Sequence, residues 1–214
     1  DRLHHNNRVA HRARIERVSG QPGVYKAILA AREIAEREGA YLLNQFGSPD
    51  NPRCHYEHTA VEIIEACPTV DAFVCGMGTG GTVMGIGRKL REHNPGVRIV
   101  AAEPHPGAQL QGLRSMQEGY VPPILDLETL DAKILVHSGS AFRAVREILA
   151  REGLCVGPSS GAAMHAALKF AQRLEHGNVV VMFADSGWKY LGSPALDQDP
   201  LPGEEGELDD VLWW

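Results

Sequence analysis

The sequence predicts an α/β protein: a parallel sheet covered by helices on both faces. Two observations predict it. Apolar runs of strand length alternate with amphipathic runs of helix length along most of the chain. Two glycine-bearing turns, at 76–82 and 157–161, each stand where a strand run gives way to a helix run. Strands buried on both faces are typical of parallel sheets, and the runs at 72–75, 97–102 and 178–183 are continuously apolar or nearly so.

The elements follow in order. Residues 1–19 mix Arg2, Arg8, Arg12, Arg14 and Arg17 with His4, His5 and His11, and read as a solvated or frayed helix. After a turn at 21–23, the spacing of Ile28, Leu29, Ile34 and Ala35 predicts a helix over 24–38 that ends at Gly39. A short strand is expected at 40–43, a polar loop at 44–52 and a helix at 58–66. A buried strand at 72–75 leads through the first turn into a helix at 82–93, with Val83, Ile86 and Leu90 on one face. The strand at 97–102 follows, and then a helix at 138–153, a strand at 154–156, a helix at 160–174 and a strand at 178–183. The stretch after Asp197 is acidic and rich in Pro and Gly, a composition of solvated linkers. It closes on Trp213 and Trp214, which are expected to dock rather than stay in water.

Bulk composition narrows the function. The chain has 214 residues, 43% of them hydrophobic and 22% charged, as in an ordinary globular protein. A net charge of −6 gives a nucleic-acid partner no electrostatic support, and no apolar run approaches the ~20 residues of a membrane span. Cys54, Cys67, Cys75 and Cys155 are scattered without a C-x-x-C pair, which predicts reduced thiols in a cytoplasmic protein and no metal site.

The first turn carries the chemistry. Residues 76–82 read Gly-Met-Gly-Thr-Gly-Gly-Thr. A helix start offers unpartnered N–H groups and a dipole that favours an anion. Gly78, Gly80 and Gly81 allow close backbone approach, and Thr79 and Thr82 add hydroxyl donors. This predicts a phosphate site without choosing the ligand. Gly76, Gly78 and Gly81 also spell G-x-G-x-x-G, and Glu103 follows about 20 residues on, where a dinucleotide site keeps its ribose-binding acid. An NAD-dependent oxidoreductase is therefore one reading. The second turn, Gly-Pro-Ser-Ser-Gly at 157–161, favours another. A dinucleotide needs no second serine-bearing helix start, whereas the nitrogen of a pyridine ring needs a partner such as a serine hydroxyl. Helix capping alone would also account for Ser159 and Ser160.

Four blocks in order then resemble the cysteine synthase family of fold-type-II pyridoxal-phosphate enzymes. Residues 44–52 with His55 and Tyr56 resemble its Q-[FY]-x-N-P-x-N segment, and 78–82 match its phosphate loop. Residues 157–162 resemble its G-[IV]-S-[ST]-G-A block, and 184–191 its closing [SD]-x-G-x-[RK]-Y-L block. The segment 112–122 is similar to the cysteine synthase B type, notably the forms that use O-phosphoserine.

The resemblance implies the large domain of such an enzyme at 44–195, a remnant of the smaller domain with a divergent basic start at 1–43, and an acidic tail at 196–214. It implies pyridoxal 5'-phosphate as cofactor, with Gly78, Thr79, Gly80, Gly81 and Thr82 on its phosphate and Ser159 facing its ring nitrogen. Gln45 would lie near the carboxylate of an amino-acid substrate, and Arg114 would meet the β-substituent. The implied reaction is β-replacement: an activated serine, O-acetyl or O-phospho, exchanges its β-group for sulfur from sulfide or a carrier-protein thiocarboxylate, giving L-cysteine. A homodimer is implied, and a tail that can enter the active site. Cystathionine β-synthase, a diaminopropionate-forming synthase and a non-catalytic remnant are the related alternatives. None of Lys26, Lys89, Lys133, Lys169 and Lys189 stands in the family's cofactor-lysine context. The chain is thus expected to be the C-terminal part of such an enzyme, inactive alone, with no catalytic lysine of its own.

Overall fold

The computed structural model describes residues 14–18, 24–106, 108, 110–192 and 211–213. The chain divides into two compact units, 1–44 and 45–214. In the first, helix α1 spans Val24–Glu38, as its periodicity predicts. It stops at Gly39, whose φ of +61° is the left-handed conformation that ends helices at glycine. Arg14 forms ion pairs with Glu16 and Glu38, all of them exposed. The strand expected at 40–43 is absent: Tyr41 and Leu43 are exposed and have no ladder to join. Residues 1–13 and 19, most of the basic start, lie outside the described residues.

The second unit is built on a sheet ordered β4-β1-β2-β3-β5, with β1 at Ala72–Gly76, β2 at Arg98–Pro104, β3 at Ala132–Val136, β4 at Val179–Val181 and β5 at Val211–Trp213. The first four are mutually parallel, and β5 runs antiparallel to β3. Period-two alternation divides the core. Phe73, Cys75, Ile99 and Ala101 face one layer, where helix α3 (Ala60–Ala66) and helix α4 (Gly81–His93) pack. Ala72, Val74, Val100, Ala102 and Ile134 face the other, covered by helix α5 (Ser138–Glu152) and helix α6 (Pro158–Ala171). Small residues on α6, Ala162, Ala163, Ala166 and Ala167, are fully or nearly fully buried, so this helix lies close on the sheet.

Several boundaries differ from expectation. The loop at 44–52 gives way early to helix α2 (Asp50–Cys54), which runs through a π-helical turn at His55–Thr59 into α3. Residues 154–156 add no strand to the sheet; Val156 makes a single antiparallel bridge to Ser186. A three-residue apolar run has too few ladder bonds to specify a strand when α5 and α6 already cover that face. The chain end docks through its backbone: Ala132, Lys133 and Ile134 pair with Trp213, Leu212 and Val211, covering the otherwise open edge of β3. This places residues 211–213 at the sheet edge, and Trp214 lies outside the described residues. Among the described residues, no helix is long and apolar enough to cross a membrane.

Burial also sorts the thiols. Cys75 lies inside β1, and loss of solvation pushes its thiol up to about 12. Cys54 and Cys155 are exposed. Iodoacetamide at about pH 8 is expected to label Cys54 and Cys155 and to spare Cys75 until denaturant is added. Peptide mass mapping reads this directly, and rapid labelling of Cys75 in the folded chain would contradict it.

Candidate active site

Strand order reverses at β1, which has β2 on one side and β4 on the other. Open α/β sheets bind ligands in the crevice at such a switch point, beyond the carboxyl ends of the strands. The first glycine turn leaves β1 there. It bounds a cleft of about 180 Å³ lined by Gly78, Thr79, Gly80 and Thr82 from the turn, Gly112 and Leu113 from the β2–β3 connection, Ser159 from α6, and Met182 and Ala184 beyond β4.

The turn is shaped for an anion. Gly80 is the N-cap of α4 with φ +91°, a conformation closed to most side chains. A Cβ on Gly78 would lie 2.8 Å from the Gly112 carbonyl oxygen, so only glycine lets the two loops meet. The first turn of α4 leaves its N–H groups without intrahelical partners. Thr79 accepts from the Gly81 amide at 3.3 Å, and Thr82 lies 3.2 Å from His55 Nε2. Burial holds the His55 imidazole below its ordinary range. Among the described residues, no group of histidines, cysteines and carboxylates could hold a metal ion.

Ser159 is 6% exposed and lies on the same cleft as the phosphate turn. The second turn therefore reaches the first without a sheet strand of its own. Gly157 receives the Asp185 carboxyl group so closely that a side chain there would collide with it, and its N–H donates to the Asp185 carbonyl at 3.0 Å. Tyr190 donates to the same carboxyl group at 2.8 Å, and burial, with that hydrogen bond next, pushes its phenol up to about 12.

Gln45 and Arg114 are not brought to the cleft lining. Gln45 is exposed, and its carbonyl accepts from Asn51 Nδ2 at 2.7 Å. The Arg114 guanidinium lies 5.5 Å from the centres of both the Phe46 and Tyr120 rings, and its backbone N–H donates to Met77 at the base of the turn.

Glu103 settles the choice between cofactors. It is wholly buried, its carboxylate lies 2.8 Å from Lys133 Nζ, and it accepts from Ser115 Oγ at 3.0 Å and from the Met116 amide at 2.8 Å. An acid so enclosed cannot reach a ribose, and the dinucleotide reading fails on this residue. Residues 8–185 match the family described as pyridoxal-phosphate dependent enzyme (PALP).

The chain belongs to that family. Cysteine synthase B of Pseudomonas aeruginosa is 37% identical over 172 residues, 78% of this chain and 58% of its own length. A cysteine synthase of Staphylococcus aureus is 34% identical over 200 residues, 89% of this chain and 64% of its own. Among solved structures, cysteine synthase from Entamoeba histolytica superposes with a TM-score of 0.82 at 29% identity, covering 94% of this chain and 63% of that one. An O-ureido-L-serine synthase gives 0.76 at 34% identity, covering 86% and 60%. The chain thus spans about three-fifths of the length of these relatives. The fold expected from the sequence, a parallel α/β sheet of the fold-type-II class, is the one observed.

Two residues of the 44–56 block to which the sequence assigned no role bear on the site. Asn51 donates to Thr79 Oγ1 at 3.1 Å, and His55 meets Thr82. Both lie in the block that resembles the family's Q-[FY]-x-N-P-x-N segment, and their four-residue spacing points to one helix face once 50–59 is known to be helical.

Proposed function

We propose that this chain is the cofactor-phosphate half of an enzyme that makes L-cysteine by exchanging the β-substituent of an activated serine for sulfur. The observation that carries it is the meeting of a donor-rich helix start and the buried Ser159 hydroxyl on one cleft at the sheet's switch point. Gly78, Thr79, Gly80, Gly81 and Thr82 would hold the phosphate of pyridoxal 5'-phosphate through N–H groups, hydroxyls and the α4 dipole. Ser159 would face the ring nitrogen. When bound, the cofactor supplies an electron sink for carbanion chemistry at the substrate Cα. A neutral serine partner leaves the ring less electron-withdrawing, which favours β-elimination over transamination. The apolar walls of Leu113, Met182 and Val83 exclude water from that chemistry.

Such enzymes hold the cofactor through a lysine. Lys26, Lys89, Lys133, Lys169 and Lys189 are the chain's lysines, and none lines the cleft. Lys133 is committed to Glu103, and Lys189 lies 3.6 Å from Asp185. The cofactor lysine is therefore assigned to a part of the enzyme outside these 214 residues, and residues 1–43 to the smaller domain. Borohydride reduction with pyridoxal 5'-phosphate, followed by peptide mapping, is expected to leave all five lysines unmodified. A specific adduct on any one would overturn this part. Supplying the part of the Pseudomonas relative that this chain does not cover is expected to give cysteine from O-phosphoserine or O-acetylserine plus sulfide, and to give nothing from homocysteine. Condensation with homocysteine would favour a cystathionine β-synthase instead.

Within this reading Arg114 selects the β-substituent, Gln45 faces the substrate carboxylate, a thiocarboxylated carrier protein is a candidate sulfur donor, and the enzyme is a cytoplasmic homodimer. What supports Arg114 is a guanidinium held against Phe46 and Tyr120, next in sequence to cleft-lining Leu113. In the complemented enzyme, Arg114→Leu is expected to lower kcat/KM for O-phosphoserine by about 10- to 100-fold, the loss of one charge-assisted contact, and to leave O-acetylserine within about threefold. Equal losses on both substrates would remove Arg114 from the specificity role.

A further inference from the structure

The helical segment 50–59 packs on α4 with almost no spacer. A Cβ on Gly81 would collide with the Asn51 side chain, and one on Gly85 with the Pro52 carbonyl and His55 Cβ. Glycines four apart on α4 thus receive Asn51 and His55, four apart on the facing segment. Glycine inside a helix costs about 1 kcal/mol relative to alanine, so this close approach is bought against helix propensity.

The contact bears on where two hydroxyl protons point. The Gln45 carbonyl can only accept, so the Asn51 atom 2.7 Å from it is the amide nitrogen. That nitrogen also donates to Thr79 Oγ1 at 3.1 Å. The Gly81 amide donates to the same oxygen at 3.3 Å. Both acceptor positions of the Thr79 hydroxyl are then filled from behind, and its proton is left for the cleft it lines. His55 stands likewise behind Thr82, with Nε2 3.2 Å from Thr82 Oγ1 and Nδ1 3.1 Å from Thr59 Oγ1. In the tautomer protonated on Nε2, Thr59 donates to Nδ1 and the imidazole donates to Thr82 Oγ1; in the other tautomer both directions reverse. In the first of these the Thr82 proton is released from the imidazole for the cleft that Thr82 lines.

We propose that Asn51, and His55 as its Nε2–H tautomer, are positioning residues that turn Thr79 and Thr82 into obligate donors and so fit the turn to a dianionic phosphomonoester. This rests on the phosphate assignment above and extends it to residues that never touch the ligand. A site that offers only protons rejects ligand groups that must themselves donate.

Titration calorimetry of the full chain with pyridoxal 5'-phosphate and with pyridoxal tests it, the ratio of the two affinities isolating the phosphate. Asn51→Leu and His55→Leu are each expected to lower that ratio about tenfold, the scale of one hydrogen bond to a charged group. In a Thr79→Val background, Asn51→Leu is expected to have less than about a twofold effect, and likewise His55→Leu in Thr82→Val. His55→Gln, whose amide can present an N–H near the Nε2 position, is expected to restore most of the loss. Undiminished losses in the valine backgrounds would show that the two residues act by packing alone, and would overturn the proposal. A wild-type chain that binds both ligands equally would instead overturn the phosphate assignment on which it rests.

A phosphorus NMR readout covers variants that fold poorly as leucine. The resonance of bound pyridoxal 5'-phosphate is expected to stay flat through about pH 6, where a free phosphomonoester titrates. It is expected to titrate in Asn51→Asp, whose carboxylate accepts from Thr79 and turns its proton away. A flat trace in that variant would count against the proposal.

Discussion

Glu103→Ala is expected to destabilise the protein by about 3–5 kcal/mol, because it leaves the Lys133 ammonium buried without its counter-charge. Lys133 is 8% exposed at its side chain and Glu103 not at all, and the two lie on neighbouring strands. The same carboxylate also receives Ser115 and the Met116 amide, which pin the connection between β2 and β3. Domains of this size are stable by about 5–15 kcal/mol, so the loss is a large fraction of the whole. Urea unfolding followed by circular dichroism measures it. Replacing both partners together, Glu103→Leu with Lys133→Met, is expected to recover most of the loss, since apolar groups of similar volume substitute well for a buried ion pair. A single-variant loss below about 1 kcal/mol would mean that the pair is hydrated in solution.

Gly80→Val is expected to have the largest effect on the cleft. At φ +91° a β-branched residue is strained by about 1–3 kcal/mol. Its Cβ would also stand 3.0 Å from two carbons of Leu125, which is buried in the core. The turn can relieve this only by moving Thr79 and the amides that open α4. Losing two hydrogen bonds to a charged phosphate is worth about 100-fold or more in affinity. Calorimetry is expected to show pyridoxal 5'-phosphate falling to the affinity of pyridoxal, with the unfolding midpoint lowered as well. Retention of wild-type affinity would show that the turn does not hold the phosphate.

Much of the fold was legible along the chain because its signals are local. The helix at 24–38, the strand at 72–75 and the helix opening at the glycine turn follow from periodicity and from glycine at helix ends, and each stands where expected. The strands expected at 40–43 and 154–156 did not form, because an apolar run becomes a strand only when a neighbouring edge is open to it. The early start of helix 50–66 was hidden by Pro49, Asn51 and Pro52, which read as loop yet suit a first helical turn.

The sequence by itself determined the family and the phosphate turn, since glycines, threonines and a helix start act within seven residues of one another. At the turn taken alone two cofactors fitted, because Glu103 stands at the right distance along the chain for a ribose; Ser159 and the ordered family blocks favoured pyridoxal 5'-phosphate. The tertiary structure takes Glu103 away from any ribose by burying that carboxylate against Lys133, a residue 30 positions away on the next strand. The structure likewise supplied roles for Asn51 and His55. Whether a hydroxyl donates or accepts depends on what stands behind it, and that is fixed by packing between helices rather than by order along the chain.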